Sequence, residues 1–158
     1  MDEPYGVPHT DDRPDGLQQS VFHLMRRALQ AHSARWQQDV AELTKPQYAM
    51  LTALRERPRI DQVTLCALAA TDKGTATEML RRMQTRGLVD RVRSDTDQRR
   101  RLVSLTAAGR ELIDGVAARV RPLNDEFLAP LGHAEQEQLR ALLARLVAGP
   151  EPGTPRPR

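Results

Sequence analysis

The chain has 158 residues, 24 Lys/Arg against 21 Asp/Glu, and a pI of about 9.6. That length fits one domain of ordinary size. The single cysteine, Cys66, excludes an intramolecular disulfide and with it a disulfide-stapled secreted scaffold. No apolar run approaches membrane-spanning length, and the acidic, proline-containing N-terminus is unlike a signal peptide, so a cytoplasmic protein is expected, with no membrane among its partners.

Charge is unevenly placed. Asp72 to Arg101 holds nine Lys/Arg and five Asp/Glu, whereas the remaining residues hold 15 and 16. The basic excess therefore sits in one block of thirty residues, either a polyanion-facing surface or an ordinary solvated face. Aromatics are 3% of residues, too few for recognition of single strands by base stacking.

In chain order, residues 1–15 carry Pro4, Pro8 and Pro14 and little apolar content, and are expected to be a flexible arm. From Leu17 to about Val40 the pattern is helical with two apolar stripes. Leu17, Val21, Leu24, Ala28 and Ala31 make one; Phe22, Met25, Leu29, Trp36 and Val40 make the other. A helix apolar on two sides is packed on two sides. "LTKPQYAML" starts a second helix: Thr44 and Gln47 form a capping box, Leu43 and Tyr48 a hydrophobic staple, and Pro46 sits where no helical partner is lost. Pro58 closes it. Asp61 caps a short third helix with Val63, Leu65, Leu68 and Ala69 inward.

Thr71 or Asp72 caps the fourth helix. Ala76, Met79, Leu80 and Met83 recur at helical spacing and face the core, while Lys73, Gly74, Thr77, Glu78, Arg81, Arg82 and Thr85 face out. Gly87 ends the helix as a C′ glycine. "LVDRVR" (88–93) and "LVSL" (102–105) then read as two strands joined by a polar hairpin connection. Thr106 opens a long helix, kinked at Pro122 and stopped by Pro130 and Gly132. A last helix, about 134–148, puts Leu139, Leu142, Leu143 and Leu146 on one side, and "GPEPGTPRPR" (149–158) is expected to be disordered. Two helices around a tight turn followed by a hairpin make a winged helix-turn-helix. The fold expected is mainly α with a small β-hairpin wing.

"ATDKGTATEMLRRMQTRGLVDRVRSDTDQRRRLVSLTAAG" resembles the helix–wing region of the MarR family of bacterial transcription regulators, and "LTKPQYAML" also has that family's look. The likeness spans roughly 17–147. It implies a single domain at 16–148, with a DNA-binding lobe at 44–106 and dimerisation helices at 16–43 and 107–148. It further implies a homodimer on double-stranded DNA, reading an inverted repeat in the major groove, where base edges differ for every pair. The DNA-facing residues would be Lys73, Gly74, Thr75, Thr77, Arg81 and Arg82 on the fourth helix and Arg99, Arg100 and Arg101 in the wing. The likeness puts Arg99 in the minor groove and makes Asp97 the residue that orients the wing by pairing an arginine. Glu78 either accepts from a cytosine amino group or pairs with Arg82 within the helix.

"HLMRRALQAH" on the first helix resembles a stretch in branches that sense aromatic carboxylates. That likeness implies Arg26 as the carboxylate's partner, His32 as a hydrogen-bonding neighbour and Trp36 as a pocket wall. Against it stand a surface or dimer ion pair for Arg26, an interfacial histidine at position 32 and a core role for Trp36. The function expected is a repressor released from its operator by a small aromatic acid, the alternatives being a response to an oxidant or drug-like compound, activation, or an interaction module without DNA binding. Cys66 reads as a buried, inert thiol. His9, His23, His32 and His133 have no ligand spacing, and no cofactor or metal is expected. Nor is an enzyme, since nucleophile elbow, phosphate loop and metal signature are all missing.

Overall fold

The computed structural model describes residues 20–94, 97 and 100–149. The expected arm (1–15), most of the expected tail and Arg99 lie outside them. The chain divides into two units, residues 1–35 and 36–158.

In the first unit the described residues are Ser20 and most of α1 (Val21–Asp39). Val21, Phe22, Leu24 and Leu29 are exposed there, Phe22 to 83%. Both expected stripes thus reach solvent in this unit, and only Trp36 and Val40, past its end, are buried.

The second unit takes up the last turn of α1 and then α2 (Lys45–Glu56), β1 (Ile60–Asp61), α3 (Gln62–Leu68), α4 (Lys73–Thr85), β2 (Val89–Arg93), β3 (Arg101–Leu105), α5 (Ala107–Leu128) and α6 (His133–Ala148). The start signals act as expected. Thr44 Oγ1 accepts from the Gln47 backbone at 3.4 Å while Gln47 Oε1 accepts from the Thr44 backbone at 2.9 Å. Asp61, Asp72 and Thr106 cap α3, α4 and α5 through their side chains. At the end of α4, Gly87 takes φ +69°, Leu88 N donates to Met83 O at 2.9 Å and Gly87 N to Gln84 O at 2.9 Å. This pair of bonds satisfies carbonyls the helix would otherwise leave open.

The sheet departs from the expected hairpin. It has three strands in the order β1-β3-β2, all antiparallel, with Ile60 opposite Val103 and Asp61 opposite Leu102. The core beneath it joins Met50, Leu51 and Leu54 of α2, Leu65 of α3, Leu80 and Met83 of α4, Val89 and Val103 of the strands, and Ile113, Val116 and Val120 of α5. Two side chains of α3 expected inside lie outside: Val63 is 73% exposed and Leu68 46%. A seven-residue helix has room for one buried face, and Leu65, Cys66 and Ala69 occupy it. α5 runs without a break through Pro122. α6 buries no residue, leaving Leu142, Leu143, Leu146 and Val147 exposed.

Candidate nucleic-acid interface

The block of basic residues folds into α4 and the wing, the hairpin of β2 and β3. Lys73, Gly74, Thr75 and Thr77 are exposed along the N-terminal half of α4, with Arg81 and Arg82 one turn on. Between α4, the first turn of α3 and the wing runs a cleft of about 520 Å³. Among the described residues its walls carry Lys73, Arg81, Arg91, Arg100 and Arg101 against one carboxylate, Asp61. Five cations around one anion give a surface that attracts a polyanion and repels other cationic surfaces.

Several of these groups are already engaged. Glu78 accepts from both Nε and Nη2 of Arg81 at 2.8 Å and from Nε of Arg82 at 2.7 Å. Hydrogen bonds from Arg81 and then Arg82 pull the Glu78 carboxyl down to about 2. The intrahelical pairing foreseen for Arg82 is thus present and extends to Arg81. Thr77 Oγ1 donates to Lys73 O at 2.8 Å and accepts from Gln62 Nε2 at 3.0 Å. Its only proton is committed within the fold, so it has none to offer a base. Arg91 Nη2 donates to Gln62 Oε1 at 2.8 Å, while burial and the neighbouring charge of Arg101 lower its pKa. Gln62 and Arg91 were not singled out in the sequence as part of one chain from β2 to α4, because the link joins positions far apart.

The wing is closed at its base by Ser94, which is buried. Ser94 N donates to Arg100 O at 3.0 Å, Arg100 N to Asp97 O at 2.9 Å, and Asp97 N to Ser94 Oγ at 3.3 Å. Asp97 is exposed, and its backbone N–H and carbonyl both take part in the turn. Arg100 sends Nη2 to Asp61 Oδ2 at 2.9 Å. Arg101 is exposed at the start of β3.

The residues expected at a ligand pocket fall in separate units. In the first, Arg26 is exposed with Nη2 3.3 Å from His23 Nδ1, and His32 is half-buried. In the second, Trp36 is buried, its Nε1 donates to Leu43 O at 2.8 Å, and its ring stands edge-on to Tyr48 at 5.2 Å. Those contacts are what its core role requires.

The sequence profile of the MarR family matches residues 43–100, from just before α2 into the wing. The transcriptional regulator HosA of Escherichia coli O111:H- is 40% identical over 131 residues, which are 83% of this chain and 97% of HosA. This chain belongs to the MarR family. It is a MarR-type, DNA-binding transcriptional regulator with a winged helix fold. Among solved structures it is similar to the PcaV regulator of Streptomyces coelicolor in complex with its natural ligand, at TM-score 0.80 and 38% identity over 84% of this chain and 95% of that one. It is also similar to Bordetella bronchiseptica BpsR, whose DNA binding is regulated by 6-hydroxynicotinic acid, at TM-score 0.83 and 28% identity over 87% and 100% of the two chains. Among the described residues of this MarR-family chain no helix is long and apolar enough to cross a membrane.

Proposed function

We propose that the protein is a homodimeric repressor that occupies an inverted-repeat operator and is released from it by a small aromatic carboxylic acid. The observation that carries the DNA half is the cationic cleft between α4 and the wing, with five basic side chains to one carboxylate. In this reading α4 enters the major groove, Arg99 the minor groove, and residues 44–106 act as the DNA-binding lobe. Residues 16–43 and 107–148 form the dimer. The apolar side chains exposed on α1, and separately on α6, support that role, since such surface is costly to leave in water. Two recognition helices about one DNA turn apart then read the two half-sites.

The aromatic-acid half is supported by the likeness to BpsR and to ligand-bound PcaV, with Arg26 as the carboxylate's partner and His32 as a hydrogen-bonding group for the ligand or its ring substituent. An acid that binds better to the arrangement unable to hold DNA lowers operator affinity by its differential affinity for the two states. Oxidant sensing is the poorer reading, because Cys66 is 8% exposed and burial raises its pKa, which keeps the unreactive thiol form.

Selection from a random duplex pool should return an inverted repeat. On that site benzoate, 4-hydroxybenzoate or 6-hydroxynicotinate should release the wild type. Arg99→Ala should lose most of the affinity, and Arg26→Ala should keep it but resist release. Recovery of sequences without symmetry would overturn the operator claim; unchanged release of Arg26→Ala by every acid that acts on the wild type would overturn the pocket.

A further inference from the structure

We infer that Arg100 positions the wing on α3 and is not itself a DNA contact. The inference deepens the reading of the wing as a DNA element and rests on it.

Asp61 is a fixed anchor. Its Oδ1 accepts from the backbones of Val63 and Thr64 at 3.1 Å each, and its Oδ2 accepts from Thr64 Oγ1 at 2.7 Å. The carboxylate is held before Arg100 arrives, and its side chain is only 14% exposed. Arg100 is the joint of the wing turn, since its N–H reaches Asp97 O and its carbonyl receives Ser94 N. The Arg100 guanidinium then bridges 39 positions of sequence to Asp61 Oδ2 at 2.9 Å. The two-residue strand β1 ends at Asp61, opposite Leu102, so this ion pair carries the link between hairpin and α3 past the end of the β1–β3 ladder. A guanidinium committed to a carboxylate is poorly placed to neutralise a phosphate as well. What it fixes is the position of the wing turn at Arg100 relative to the start of α3.

Asp61 makes the idea testable, because a carboxylate cannot itself bind a phosphate. Asp61→Asn keeps a good N-cap side chain and removes the charge. Binding of the labelled operator duplex is measured by anisotropy over a series of salt concentrations for Arg100→Gln, Asp61→Asn, the double variant and Arg99→Ala, with thermal melts alongside. Arg100→Gln and Asp61→Asn should each weaken binding about three- to fivefold, the worth of a partly exposed ion pair. The double variant should be no weaker than either single one. The preference for A·T over G·C at the step read by the wing should decline in all three, while the melts show each variant folded at the assay temperature.

Tighter binding by Asp61→Asn would overturn the inference, showing the carboxylate to be a mere repulsive charge near phosphates. So would a salt slope reduced by about 0.9 in Arg100→Gln alone, the mark of a lost phosphate contact. If Arg99→Ala binds like wild type, the wing reading itself fails. If Arg99→Ala is weak but Asp61→Asn and Arg100→Gln are unaffected, the reading stands and the tether falls.

Discussion

Gly109, the last residue of "LTAAG", is the position where one methyl group should do most harm. A Cβ built there would lie 2.0 Å from Leu88 O and 2.9 Å from Leu88 C. Both neighbours are backbone, so no side chain can swing away, and ordinary contact requires a shift of more than about 1 Å. The first turn of α5 is docked at that place by other bonds. Thr106 Oγ1 donates to Gly87 O at 2.6 Å, Thr106 N donates to Leu88 O at 3.2 Å, and Gly109 N donates to Thr106 Oγ1 at 3.0 Å. Three terms compete in Gly109→Ala. Better helix propensity stabilises by up to about 1 kcal/mol. Overpacking costs about 1–3 kcal/mol, and loosening the two bonds to Gly87 and Leu88 costs about 1 kcal/mol each. The clash wins, with a net loss of roughly 2–4 kcal/mol. Gly115 is the control on the same helix, where an added Cβ meets nothing within 4 Å; Gly115→Ala should keep the propensity gain. Urea unfolding followed by circular dichroism, at one protein concentration, gives both numbers. If Gly109→Ala is as stable as wild type, the close approach of α5 to Leu88 is not a constraint and the reasoning is wrong. Because Leu88 leads from α4 into β2, the same variant should also weaken operator binding beyond what its unfolded fraction explains.

Glu78→Gln removes the charge that now engages Arg81 and Arg82. Non-specific duplex binding should tighten, and each freed arginine that reaches a phosphate should add about 0.9 to the salt slope; an unchanged slope would mean that neither arginine faces DNA. Acid should destabilise the fold in a defined window. Hydrogen bonds from Thr64 hold Asp61, and those from Thr75 hold Asp72, below their ordinary value of 3.8. A depressed carboxylate contributes stability above its unfolded pKa and loses it as pH falls through the folded one. Melting temperature should therefore fall below about pH 4 from this source, and the Asp61→Asn/Asp72→Asn variant should show a shallower acid slope. Identical slopes in the two proteins would exclude these caps as the cause.

What was legible in the sequence was local. The Thr44–Gln47 box, the caps at Asp61, Asp72 and Thr106, and the Gly87 ending each need only four or five neighbouring residues, and all are present. β1 was not legible, because Ile60 and Asp61 are a strand only by virtue of Val103 and Leu102, some forty positions on. Val63 and Leu68 were misplaced since apolar character on seven residues fixes no face. At the candidate site, composition located the basic block and the family likeness named its residues. Apart from the Glu78–Arg82 pairing offered as one alternative, neither said which cations were already engaged. That depended on Glu78 sitting three and four residues before two arginines, which spacing allows, and on Asp61 meeting Arg100, which it does not reveal.

The same contacts explain how five cations can line one cleft. Like charges so placed repel, and exposed side chains would splay apart in water. The start of α3 holds two of them instead. Asp61 takes Arg100, and Gln62 takes Arg91 while donating to Thr77 of α4. Glu78 holds Arg81 along α4 itself. One short helix therefore ties α4, β2 and the wing turn to a common frame. On the proposed reading the charges are set in place before DNA arrives, so less side-chain freedom is lost on binding. The cost is a lower net positive field, since Asp61 and Glu78 each cancel one charge. A surface arranged in that way gives up non-specific affinity, which depends on the number of free cations, and keeps geometry, on which discrimination between operators depends.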